Sequence, residues 1–180
     1  MIGKVYSAAV TGIYAVPVEV QADVAPGIPY FELTGNLAGT TKEAKERVRI
    51  AIKNSKFQLN PSKITINMIP ANIRKEGTSY DLAVAVAVLT AVGVIAAKKV
   101  SGALFIGELG LDGGICNVSS ILPMTLCARD NGFTICYVPM GNVGEASLVT
   151  GIRVIGISSL RECVDYINTV SYTHLTLPTT

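Results

Sequence analysis

The sequence predicts an α/β domain, a mixed sheet with helices packed on it, and three observations carry that prediction. β-branched and aromatic runs bounded by turn residues open the chain. Strand and helix patterns then alternate as far as Asn168, which implies parallel pairing and a covered sheet. Hydrophobic residues make up 49% of the chain and charged residues only 16%, a balance suited to central elements buried on both sides.

The elements follow in order. "GKVYSAAV" and "GIYAVPVEVQADV" form a hairpin turning near Thr11-Gly12, with Val18, Val20 and Ala22 on one face and Glu19, Gln21 and Asp23 on the other. A Pro/Gly turn leads to a short strand, 30–34. "GTTKEAKERVRIAIKNS" predicts a helix started by a capping box, Thr40 with Glu43, and burying Ala44, Val48, Ala51 and Ile52. A strand over 63–69 ends at Pro70. "RKEGTSYDLAVAVAVL" then opens a nearly apolar run, 82–97, too long and too uninterrupted for a strand. It predicts a central buried helix, begun by Thr78 and Asp81 at capping-box spacing. A strand over 104–108, a glycine-rich turn and a second short strand come next. A helix stopping at Asn131-Gly132, a strand "FTICYVP", a short helix "NVGEASLV", a strand "IRVIGI" and a closing helix capped at Ser158 or Ser159 complete the domain, residues 1–168. "TVSYTHLTLPTT", 169–180, holds the only histidine, His174, and continues no pattern. It reads as a non-native or disordered tail, foreign to the fold.

Composition excludes several classes. The longest apolar run has 16 residues, short of the roughly 20 that span a bilayer. No basic-then-apolar signal segment opens the chain. Cys116, Cys127, Cys136 and Cys163 lie far apart with no CxxC pair, and read as reduced thiols of a cytoplasmic protein, not as a disulfide framework or zinc site. Net charge is only +2, but its distribution is uneven. Lys42, Lys45, Arg47, Arg49, Lys53, Lys56, Lys63, Arg74 and Lys75 are nine of fifteen basic residues, opposed in that span only by Glu43 and Glu46. Such asymmetry points to an anionic partner on one side of the molecule. Lys42, Lys45, Arg49, Lys53 and Lys56 make a stripe along the first long helix. A charged helix face is in general a solvated face; the local charge also fits contact with a phosphate backbone, to which Arg74 and Lys75 would add.

The chemistry motifs are sparse. Nothing matches GxxxxGK[ST], so this chain carries no P-loop of its own. "GELGLDGG" lacks GxGxxG spacing and reads as a turn. Glu76, Asp81, Glu108 and Asp112 are explained by caps and turn hydrogen bonds without a metal. Ser79, preceded by glycine at a helix start, also has an enzymatic reading as a nucleophile activated by a neutral lysine. Its candidate bases are poor: Lys75 precedes the turn, Lys98 and Lys99 sit at the far end of the helix, and no lysine follows Lys99.

"KERVRIAIKNS", "RKEGTSYDLA" and "GELGLDG", in that order, closely resemble the N-terminal domain of the magnesium-chelatase-like AAA+ ATPases, the ComM/YifB type of competence protein. The resemblance runs from about Ile2 to Asn168; "GNLAGTTKEA" departs from it where the family carries a proline-aspartate turn. It implies the ribosomal-protein-S5 domain-2-like fold, shared with the proteolytic domain of Lon and the C-terminal domain of the repair protein RadA. It further implies that Ser79 stands at the place of the Lon nucleophile and Leu122 at the place of its lysine, so that no intact catalytic pair remains. A DNA-handling or ring-assembly role before an AAA+ motor follows from the same resemblance, with branch migration of recombining DNA as the parent activity and a homo-hexamer as the assembly. ATP and Mg2+ are then expected in that following domain, with no cofactor or metal in this chain. The alternative is a Lon-type serine peptidase using Ser79.

Overall fold

The computed structural model describes residues 1–170. In chain order the elements are β1 (Ile2–Thr11), β2 (Tyr14–Pro26), β3 (Tyr30–Thr34), α1 (Gly39–Lys42), α2 (Ala44–Asn54), β4 (Ser62–Ile69), α3 (Asp81–Ala91) and α4 (Ala97–Val100). There follow β5 (Ala103–Phe105), β6 (Glu108–Leu109), β7 (Ile115–Cys116), α5 (Ile121–Asp130), β8 (Ile135–Pro139), α6 (Val143–Ala146), β9 (Arg153–Ile157) and α7 (Leu160–Thr169). The segment 171–180, with His174 and most of the suspected tail, lies outside the described residues.

Seven strands form one sheet in the order β3-β4-β2-β1-β5-β8-β9, and β6 and β7 pair separately. β2 is antiparallel to both its neighbours, while every other neighbouring pair in the sheet is parallel. Six carboxyl ends therefore meet at one edge of the sheet. The mixed sheet and its covering helices agree with the fold class that the sequence predicts. α2, α3 and α7 pack on one face, around Val20, Ile66, Leu82, Val86 and Val164. α5 and α6 cover the other face over β1, β5 and β8, around Ala8, Leu104, Met124 and Val138. The uncovered half of that face carries Glu19, Gln21, Thr65, Asn67 and Glu32, which is why β2 and β4 alternate.

α3 is the centre. All eleven of its residues are buried, and each enclosed Val or Leu is worth about 1.5–3 kcal/mol relative to exposure. Its only hydroxyl, on Thr90, is satisfied by donating to Val86 O at 2.7 Å. β1 approaches so closely at Gly3 that a Cβ there would meet Ala87 O at 2.1 Å, so only glycine fits. The helix stops at Gly93, φ +83°, where Gly93 N–H donates to Thr90 O and Val94 N–H to Leu89 O, the Schellman pattern. It is thus shorter than the apolar run 82–97.

Two further expectations need correction. Thr40 caps nothing: Ala38 precedes α1 without a side-chain hydrogen bond, and Glu43 separates α1 from α2. Arg47 meets the Thr40 backbone carbonyl, donating to it at 3.1 Å, and the Glu43 carboxylate, at 3.6 Å. The strand over 104–108 is broken at Ile106-Gly107 into β5 and β6, because Gly107 turns aside to exchange hydrogen bonds with the start of α3. By contrast, the buried face of α2 is the predicted one, Ala44, Val48, Ala51 and Ile52. Ser159 caps α7 by accepting from Glu162 N–H at 3.0 Å.

α2 is fastened to α3 by charge. Arg47 donates to the two oxygens of Asp81 at 2.7 and 3.0 Å, and Leu109 N–H donates to the same carboxylate at 3.1 Å. Asp81 is fully buried; burial pushes its carboxyl above the ordinary range, against the pull of Arg47 and of the Leu109 amide. Replacing Arg47 by Met leaves that carboxylate enclosed without a counter-charge and is expected to cost about 3 kcal/mol in urea unfolding. Adding Asp81→Asn should recover much of the loss; an undiminished loss in the double variant would show that charge is not what holds the two helices.

Candidate functional site

Two features lie outside the core: a cleft around Ser79 and the cationic side of α2. The cleft, about 380 Å³, sits beyond the carboxyl ends of β1 and β5 and is bordered by Val10, Glu76, Ser79, Glu108, Asn117 and Ser120. That is where ligands enter open α/β sheets in general. Its floor is stitched together by Gly107, whose N–H donates to Ser79 O and whose carbonyl accepts from Leu82 N–H, both at 3.0 Å. One wall is the 117–120 segment. Asn142 clamps it, accepting from Val118 N–H and donating to Val118 O, each at 3.0 Å.

Thr78 and Asp81 do not form the expected capping box. Tyr80 occupies the N-cap position of α3, and no side chain caps the helix. Thr78 Oγ1 donates instead to the Glu108 carboxylate, and Asp81 is turned inward to Arg47. Ser79 is half-buried at the cleft wall. Among the described residues, neither a lysine nor a histidine borders this cleft, and Leu122, in the first turn of α5, does not border it either. The titratable groups that do border it are Glu76, Glu108 and the buried Tyr80, whose phenol burial pushes up. Cys116 stands opposite Glu108 in the β6–β7 pair. Its thiol is raised, first by burial and then by Glu108, Asp112 and Asp81, the reverse of what activates a cysteine. Sequence reading missed Asn142 and the Thr78–Glu108 contact; neither has a local signature.

The nine basic residues separate into three groups. Lys42, Lys45, Arg49, Lys53, Lys56, Lys63 and Arg74 are exposed. Two of these, Arg49 with Glu46 at 3.1 Å and Arg74 with Glu76 at 3.2 Å, make exposed ion pairs that contribute little to stability. Arg47 is spent inside, on Asp81. Lys75 is corrected as a DNA contact: it is fully buried, donating to Gly35 O at 2.6 Å, Ile73 O at 2.9 Å and Pro70 O. Its three ammonium protons are thus all used, and burial lowers it below the ordinary lysine value. Along α2, Lys45 and Arg49 border one cleft beside Tyr30 and Phe31. Arg49, Lys53 and Lys56 border a second, of about 590 Å³, beside Phe57 and Leu59.

The different settings of neighbouring Arg74 and Lys75 give a direct check. Lys75→Ala strands three carbonyls and is expected to cost more than about 2 kcal/mol in chemical unfolding, whereas Arg74→Ala should stay within about 0.5 kcal/mol of wild type. Equal small effects would return Lys75 to the surface.

Among known proteins, the family model for subunit ChlI of magnesium chelatase matches residues 20–142. The chain is 33% identical over 164 residues to competence protein ComM of Haemophilus influenzae, covering 91% of this chain and 32% of that protein. It is 36% identical over 147 residues to the uncharacterized protein YifB of Escherichia coli, covering 82% of this chain and 29% of the relative. DNA repair protein RadA of Listeria monocytogenes is 27% identical over 173 residues, which cover 90% of this chain and 35% of RadA. The chain spans about a third of the length of these curated relatives. With the family model spanning both the cationic helix and the Ser79 cleft, the chain belongs to the ChlI-type magnesium-chelatase family, as a ComM/YifB-type N-terminal domain.

Proposed function

We propose that this domain is a non-catalytic module of a magnesium-chelatase-like AAA+ ATPase and that it contacts DNA through the exposed cations of α2. The observation that carries the reading is the row Lys45, Arg49 and Lys53 along one side of α2, continued by Lys56 just past its end, all four exposed. Residues four apart on a helix lie about 6 Å apart along its axis, so the row is a ridge suited to a phosphate backbone. The names of two relatives, a competence protein and a DNA repair protein, support the same direction. ATP and Mg2+ act, in this reading, in an AAA+ domain of the longer protein, a cytoplasmic ring, hexameric by family resemblance, whose motor moves recombining DNA. Ring assembly through the same face is the competing use of these charges.

Catalysis by the domain itself is disfavoured because no lysine or histidine is among the described residues bordering the Ser79 cleft, and Glu108, one of its two carboxylates, already accepts from Thr78. The peptidase alternative keeps one supporting observation, that Ser79 borders an open cleft. A serine-reactive probe is expected to leave the chain unlabelled; labelling that vanishes in Ser79→Ala would reinstate that alternative.

For the DNA reading, fluorescence anisotropy at low salt is expected to show weak binding that falls steeply as salt rises. Lys45→Glu with Lys53→Glu should reduce the affinity at least about tenfold and flatten the salt slope. Unchanged binding in the double variant would remove α2 as the contact surface, and a change in oligomer size alone would favour assembly.

A further inference from the structure

The C-terminal end of α2 carries an anomaly. Three helices of this chain stop with the same hydrogen-bond pattern, and at two of them, α3 and α5, the left-handed residue is a glycine, Gly93 and Gly132. At the third it is Lys56, with φ +67°. Lys56 N–H donates to Lys53 O and Phe57 N–H to Ile52 O, completing the pattern. A lysine is disfavoured in that conformation relative to glycine, yet here it lines the 590 Å³ groove with Arg49 and Lys53. A lysine near a helix C-terminus also complements the dipole, but Lys53 in the last turn already does so.

The groove has a second property that a solvated charged face lacks. With the three cations it is lined by apolar side chains, buried Ile52, half-buried Phe57 and Leu59, and Pro61, alongside Gln58 and Asn60. Arg161 lies 4.9 Å from the Phe57 ring centroid. Phosphates alone would be met by the ridge; apolar side chains beside it suit a flat, unpaired base. A duplex keeps its bases stacked inside and would ride on the cations without entering. Cations that track the backbone, with an aromatic side chain beside them on which a base stacks, are the usual means of holding single strands.

We infer that the groove between the last turns of α2 and the 57–61 loop holds single-stranded nucleic acid, with phosphates on Arg49, Lys53 and Lys56 and one base against Phe57 and Leu59. This rests on the DNA reading above and narrows it to a strand class and a position. The test is anisotropy of the full 180-residue chain against a labelled oligo(dT) single strand and a labelled hairpin duplex at low salt. The single strand is expected to bind about tenfold or more tighter than the duplex. Phe57→Leu, which keeps an apolar side chain, should weaken the single strand roughly fivefold or more and leave the duplex unchanged. Lys56→Gly should raise the unfolding midpoint, by relieving the left-handed lysine, while weakening the single strand and lowering its salt slope by about 0.7. Should Phe57→Leu lose its fold by circular dichroism, Lys56→Gly still decides the matter. Equal affinity for both nucleic acids, with Lys56→Gly binding as wild type, overturns the groove and leaves the DNA reading standing. No binding of either nucleic acid at low salt overturns both.

Discussion

A helix with no wet face must be enclosed on every side, and any charge it carries must find its partner inside. α3 meets both conditions at once. The sheet lies beneath it, α2 and α7 close its flanks, and its one carboxylate, Asp81, takes Arg47 from α2 and the Leu109 amide from β6. An unpaired carboxylate at that depth would cost several kcal/mol, so the positions of α2 and β6 are coupled to α3 through a single side chain. The same carboxylate thereby places both functional features. α2 carries the exposed cations on the side away from Asp81, and β6 carries Glu108 into the Ser79 cleft.

Periodicity made the framework legible. The bounds of β3, the buried face of α2 and the order of strands and helices all follow from side-chain spacing, because burial on one face is a local constraint written into neighbouring residues. Side-chain partnerships were not legible in the same way. Thr40, Thr78, Glu43 and Asp81 have the spacing of capping boxes, but spacing says only that such bonds are available. Arg47, reached from a different element, offers Asp81 a charged partner and wins over a neutral local cap. The break between β5 and β6 was hidden for the same reason: Gly107 bonds to residues of α3's first turn, distant in sequence.

The charge count suffered similarly. Nine basic residues in one span suggest a single cationic surface, but a count cannot tell a lysine in water from one whose ammonium is ringed by three carbonyls. Removing Arg47 and Lys75 from the surface leaves a smaller but more ordered set. Lys45, Arg49 and Lys53 fall in one line along α2, with Lys56 just past its end. Ser79, the position that the resemblance to Lon marks, borders a cleft, whereas Leu122 is not among the residues that border it.

The two features cannot serve one anionic ligand. Glu76 and Glu108 border the Ser79 cleft, and a phosphate entering it would meet like charge across a poorly screened gap. The cations of α2 face water on the other side of the Arg47–Asp81 pair, which is internally neutral and projects little field towards either. The fold thus keeps negative charge where the strands end and positive charge along the helix that flanks α3. The polyanion contact that we propose along α2 therefore lies beside the sheet, apart from the Ser79 cleft at its edge.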